Sequence, residues 1–316
     1  MLSRVADSLY WLGRYSERVY TNAYISAVQI DQMLELGRTD SQYEQQWQAV
    51  LSICGYIDEF NVRYGRYDDE EMLFYLLSDK DNLNSIERLL QSVRNNVKNT
   101  RDSIPNALFE QWNSLYLSTK ENPIQAPYSV LNATDFLSAV QTTGLTATGI
   151  IDSLMTRDEC YLFVKIGKWL ERSEKTALIL LKLMENAGAL NRDFAVTYAL
   201  QLTNTIDEYT RRSRYREGDL VLKFLIHDAK CSRSVAYGVR KFKETLLEIE
   251  NHEIRSYAEK LFEAIEQLEQ LITQDPTSMT REQRIEWVRE IHQQCIQLGP
   301  IFSQTYYLTE PILVNQ

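Results

Sequence analysis

The sequence predicts an all-α protein made of two similar helical units packed as one large bundle, and three observations carry that prediction. Breakers are scarce, with 11 glycines and 6 prolines in 316 residues, which favours long helices with short connections. Apolar residues recur at three- and four-residue steps, and no strand-like alternation of useful length interrupts them. One pattern, Gly-x-x-x-Glu-Arg-x-x-x-x-Ala, occurs twice, at residues 13–23 and 167–177.

The first helix follows from Leu2, Val5, Leu9, Leu12, Val19, Ala23, Ile30 and Leu34, which share one face, with Gly37 as its stop. A second helix is expected from about residue 42 to 60. A shorter one follows Asp68-Asp69-Glu70-Glu71, whose charges suit a helix N-terminus. Asn84-Ser85 caps a helix that ends near Ser103, and Pro105 fits the first turn of the next, through Trp112 to Leu117. The stretch 120–128 holds two prolines and reads as a linker, followed by a helix over 130–154. Asp158 suits an N-cap ahead of the second copy of the motif. Toward the end, 254–272 and 281–298 have helical spacing, with Asp275-Pro276-Thr277 as a turn. Trp11, Tyr15, Trp47, Trp112 and Trp169 are expected to fill gaps between helices.

The two halves stay in register beyond the motif. Glu17 and Glu171 differ by 154; further on, Ile57-Asp58-Glu59, Asp79 and Ser85 match Ile206-Asp207-Glu208, Asp228 and Ser234 at an offset of 149. The domain reading is a first helical repeat over 1–122, then a linker, second repeat and C-terminal helices over 123–316.

Composition narrows the function classes. A net charge of −10 argues against a general nucleic-acid binder, which needs a basic face. The cluster Arg211, Arg212, Arg214 and Arg216 reads as a solvated helix face, with anion binding as the alternative. Four dispersed cysteines and three histidines without ligand spacing predict no metal and no cofactor, in a reduced setting. No signal peptide and no membrane span are expected, so the protein should be cytoplasmic and away from membranes. No common catalytic signature is recognisable, which leaves enzyme or non-enzyme open.

The candidate site residues are Glu17, Arg18, Glu171 and Arg172. Gly13 and Glu17 share a helix face, whereas adjacent Glu17 and Arg18 point roughly 100° apart and are poorly placed to pair with each other. The natural partners lie in the other copy: Glu17 with Arg172, and Glu171 with Arg18. Two readings follow, inter-helix salt bridges that set register or a polar pocket on a pseudo-twofold axis that takes a carboxylate or amine. Asp79, Ser85, Asp228 and Ser234 are secondary candidates, as helix caps or as anion sites at two helix N-termini.

The opening stretch 1–18 (MLSRVADSLYWLGRYSER) resembles the bacterial alpha-E family, alpha-helical proteins with a Glu-Arg motif. Arg157-Asp158-Glu159, then Gly167 through Leu170-Glu171-Arg172 to Thr176-Ala177, is similar to that family's other motif, and 76–85 with 113–117 is similar too. Tyr20 and Asn22 depart from the usual acidic residue and threonine, which Glu174 and Thr176 keep in the second copy. The resemblance implies a helical accessory or scaffold protein beside an ATP-grasp-type ligase and a transglutaminase-like protein, in a system that makes or trims peptide-like amides. It leaves open an enzyme or small-ligand binder with a Glu/Arg pocket between the repeats, and a homo-oligomer.

Overall fold

The computed structural model describes residues 2–35, 41–65, 67–123, 130–186 and 192–307. Among them there are fourteen α-helices, two short 3-10 turns and no strand. The helices are α1 (Ser3–Glu35), α2 (Ser41–Cys54), α3 (Ile57–Arg63), α4 (Asp69–Leu77), α5 (Ile86–Asn99), α6 (Asn106–Glu121) and α7 (Val130–Leu154), then α8 (Glu159–Asn186), α9 (Arg192–Leu202), α10 (Ile206–Arg212), α11 (Gly218–His227), α12 (Val235–Ile249), α13 (Glu259–Ile272) and α14 (Arg281–Tyr307). Their lengths run 33, 14, 7, 9, 14, 16 and 25 residues for α1–α7, and 28, 11, 7, 10, 15, 14 and 27 for α8–α14. The expected stop at Gly37 and most of the 120–128 linker lie outside the described residues.

The chain forms two compact units. Unit 1 gathers Met1–Arg14, Thr156–Leu181 and Asp219–Gln316; unit 2 gathers Tyr15–Met155 and Lys182–Gly218.

In unit 1, α12 packs on α13 and α13 on α14. Against these lie the start of α1 and most of α8, joined by an aromatic core: the Tyr10 ring is 4.9 Å from Phe302, and Phe163 is 5.7 Å from Phe302. That core explains why α14 runs past the expected end at Leu298. Pro300 lacks an N–H and costs a helix interior about 3 kcal/mol, but burial of Phe302 and Tyr307 beyond it outweighs the loss. Helix α13 starts later than expected, because Asn251 and His252 adopt positive φ of 51° and 62° and turn the chain after α12. Glu250, buried at this turn, accepts hydrogen bonds from Tyr257 Oη (2.9 Å) and Tyr306 Oη (2.7 Å).

The helices α1 and α8 cross in unit 1 with their backbones in contact. A Cβ on Gly13 would stand 2.1 Å from the Val164 carbonyl oxygen and 2.9 Å from Lys168 N. A Cβ on Gly167 would stand 2.1 Å from the Tyr10 carbonyl oxygen and 2.9 Å from Arg14 N. The contact is reciprocal: Tyr10, Gly13 and Arg14 meet Val164, Gly167 and Lys168, each 154 residues later. Any side chain at either glycine would force the helices apart.

In unit 2, α5 packs on α6 and α6 on α7. The single helix expected over 42–60 is broken into α2 and α3 at Gly55 and Tyr56. Tyr56 is extended (φ −125°, ψ 97°), and the Tyr75 hydroxyl holds its backbone, accepting from Tyr56 N at 2.9 Å and donating to Tyr56 O at 3.0 Å. A Cβ on Gly55 would lie 2.6 Å from the Tyr75 ring, so glycine lets that ring reach the break. Trp47 and Trp112 are fully buried, as expected of gap-filling aromatics, and Trp169 is buried in unit 1. Two leucines assigned to the apolar face of α1, Leu2 and Leu34, are 72% and 70% exposed near its ends.

Two predictions follow from this packing. Replacing Gly13 or Gly167 with alanine should destabilise the protein by at least ~3 kcal/mol in urea unfolding, because backbone cannot yield as a side chain does. The same change at Gly149, with open space around its Cβ position in α7, should stabilise by up to ~1 kcal/mol; equal effects at all three sites would refute the crossing. The second concerns alkaline pH. Burial raises the phenols of Tyr10, Tyr306 and Tyr307, and pushes Tyr75 up to about 12. A phenol raised above its unfolded value near ~10 stabilises the fold fully below that value, and the contribution is lost as pH rises toward the folded value. Urea midpoints should therefore hold between about pH 7 and about pH 9 and fall above about 10; a flat profile to about pH 12 would contradict buried phenols.

Candidate functional site

The motif residues occupy three places. The first is a buried charge cluster in unit 1, beside the glycine crossing. Arg14 Nε lies 2.5 Å from Glu171 Oε2 and Arg14 Nη2 lies 2.6 Å from Glu174 Oε2; the Arg14 and Glu171 side chains are only 7% and 2% exposed. Tyr10 Oη accepts a weaker bond from Arg14 Nη1 at 3.3 Å. Burial opposes the guanidinium charge, but Glu171, Tyr10 and Glu174 together outweigh it and raise Arg14 well above its ordinary value. Cys295 also lies in this interior, where burial, reinforced by Glu174, pushes its thiol up and keeps it protonated.

The sequence reading paired Glu171 with Arg18; the structure seats Arg14 on it. Arg14 is on the same face of α1 as Arg18, one turn earlier, and belongs to the motif only as an unspecified position between Gly13 and Glu17. Glu174, kept in the second copy where the first has Tyr20, supplies the second carboxylate. Glu17 is itself buried on α1.

The second and third places are two loops, one in each unit, where the primary and secondary candidates meet. In unit 2, Arg18 Nη1 donates to Asn84 Oδ1 (3.3 Å) and Asn22 Nδ2 to Asn84 O (3.3 Å). In unit 1, Arg172 Nη1 donates to Ser232 O (3.3 Å) and Thr176 Oγ1 to Arg233 O (2.8 Å). In each case the arginine and the residue one turn later fasten the loop ahead of a helix, α5 or α12.

Asp79 and Asp228 shape those loops from within. Asp79 Oδ1 accepts from Asp81 N and Asp228 Oδ1 from Lys230 N, both at 2.8 Å. Ser85 Oγ donates to Asp79 O (2.7 Å) and Ser234 Oγ to Asp228 O (2.5 Å). These are the Asx-type turn and hydroxyl bonds that rigidify a connection. The capping expectation holds in full for Ser234, which accepts from Tyr237 N at 3.1 Å. Ser85 occupies the N-cap position, but its side chain makes no cap bond there. Asp79 also receives Arg63 Nη1 (3.2 Å) and Tyr64 Oη (3.0 Å), contacts that the sequence did not point to.

The basic cluster is partly internal to one helix, Arg211 and Arg212 both pairing with Glu208. Among the described residues, no disulfide is formed, no group of acidic, histidine or cysteine side chains could hold a metal ion, and no helix is long and apolar enough to cross a membrane.

Removing one member of the Arg14 cluster leaves a buried charge unmatched. Arg14→Met should cost about 3–5 kcal/mol in urea unfolding. Adding Glu171→Leu and Glu174→Gln should restore most of it; a triple variant as unstable as the single one would show that packing, not charge, dominates.

A family model described as a predicted alpha-helical domain with a conserved ER motif matches residues 1–307. No curated protein and no solved structure matches the chain. With the match running from the first turn of α1 to the last of α14, the chain belongs to the alpha-E family.

Proposed function

We propose that the protein is a helical docking body of two like repeats, working beside an ATP-grasp-type amide ligase and a transglutaminase-like protein. The observation that carries this reading is where the Glu-Arg residues go. Arg18 and Arg172 fasten loops, and Glu171 neutralises Arg14 in the interior of unit 1. Side chains engaged in this way hold helices and loops in one arrangement, which is what a partner surface needs from the body beneath it.

Duplication is supported by four correspondences: the reciprocal glycine crossing, the order and lengths of seven helices in each half, the loop bonds 149 residues apart, and the bonds of Asn22 and Thr176, donors 154 residues apart, to the backbone carbonyls of Asn84 and Arg233. They favour a repeat boundary between α7 and α8 over one near residue 122, since α7 and α14 then close equivalent series.

The association is tested with purified proteins at micromolar concentration, with and without nucleotide. We expect a complex with the ATP-grasp-type ligase by calorimetry or co-elution, weakened by Gly13→Ala at temperatures where that variant begins to unfold. No binding in either nucleotide state would remove the docking role.

A further inference from the structure

Beyond the motif, α1 carries Asn22, Ser26 and Gln29 at i, i+4 and i+7, one face of the helix within unit 2. They are 1%, 1% and 0% exposed. Each end pair is half used: Asn22 Nδ2 donates to Asn84 O, and Gln29 Oε1 accepts from Tyr198 Oη at 2.5 Å. The remaining atoms, Asn22 Oδ1, Ser26 Oγ and Gln29 Nε2, have no hydrogen-bond partner among the described residues. Buried polar atoms in folded proteins are nearly always satisfied, and three in a row on one face call for something between them.

Packing alone does not ask for these residues. At 154 residues on, α8 has Thr176, Leu180 and Leu183; Thr176 is bonded to Arg233 O, and both leucines are buried. The same helical positions are thus filled there by ordinary core residues. The asymmetry is wider: of the twelve buried side-chain atoms without a partner among the described residues, eleven belong to unit 2, Gln294 Oε1 being the exception.

We infer that the Asn22–Ser26–Gln29 face binds a small neutral guest that offers both a hydrogen-bond donor and an acceptor, a primary carboxamide or ordered water. Asn22 Oδ1 accepts from the guest, Gln29 Nε2 donates to it, and the Ser26 hydroxyl between them does either. The unfilled atoms are all neutral, so an ion there would be desolvated without a counter-charge from them. The inference goes beyond the docking reading and takes from it only the correspondence between α1 and α8.

The test uses the full chain alone, so its outcome is independent of ligase binding. Propionamide should raise the thermal midpoint saturably, while propionate should not. The variant Ser26→Leu/Gln29→Leu, which installs the α8 residues, should fold and lose the response. A high-resolution crystal structure of the unmodified chain, with and without propionamide, serves even if that variant fails to fold. An amide bridging Asn22 Oδ1 and Ser26 or Gln29 assigns the site to carboxamides; water at the same atoms, with no propionamide response, assigns it to water. A dry face in both crystals, or a propionamide response undiminished in the double variant, would overturn the inference.

Discussion

The constraint on which the charge cluster depends is the crossing of two helix backbones at Gly13 and Gly167. At normal separations helices interlock through side chains, and many combinations of size and shape serve. Here the separation leaves no room for a Cβ on either side, so the choice of residue is fixed at both positions at once. The cost of glycine in a helix interior, ~1 kcal/mol each relative to alanine, is the penalty that makes this approach possible. It also fixes what stands beside it: Arg14 and Glu171 are brought together because their helices are locked at a set depth and rotation.

The buried Arg14 cluster then acts as a selector more than a stabiliser. Apolar side chains of similar volume would serve stability as well, but they would tolerate sliding of one helix along the other. A guanidinium held between two carboxylates does not. The two loop attachments extend the same logic outward, from helix to helix-start, through backbone acceptors on Asn84, Ser232 and Arg233.

Much of this was legible in the sequence. Helix class, the 130–154 helix, the acidic start of α4 and the caps at Asp158 and Ser234 follow from short-range patterns, and they appear as read. The errors have a common physical source. The α2–α3 break, the late start of α13 and the run of α14 through Pro300 are each decided by a tertiary partner: the Tyr75 hydroxyl, the turn at Asn251 and His252 around buried Glu250, and the Phe302–Tyr307 core. Local spacing carries no information about such partners. The candidate site was half legible for the same reason. A repeated Glu-Arg pair announces itself, whereas Arg14 recurs only as Lys168 and so escapes a search for identity. The half-satisfied amides of α1 left no mark in the sequence either, because an Asn or Gln looks the same whether or not its second atom is bonded.

The reciprocal crossing has a historical corollary on the duplication reading. A single ancestral repeat with one such glycine could have made the same contact with an identical second chain. In that symmetric pair every substitution appears twice, so a polar face useful in one subunit would have been imposed on the other. Joining the copies in one polypeptide removes that restriction. The leucines of α8 can then keep one core closed while the matching positions of α1 change their chemistry.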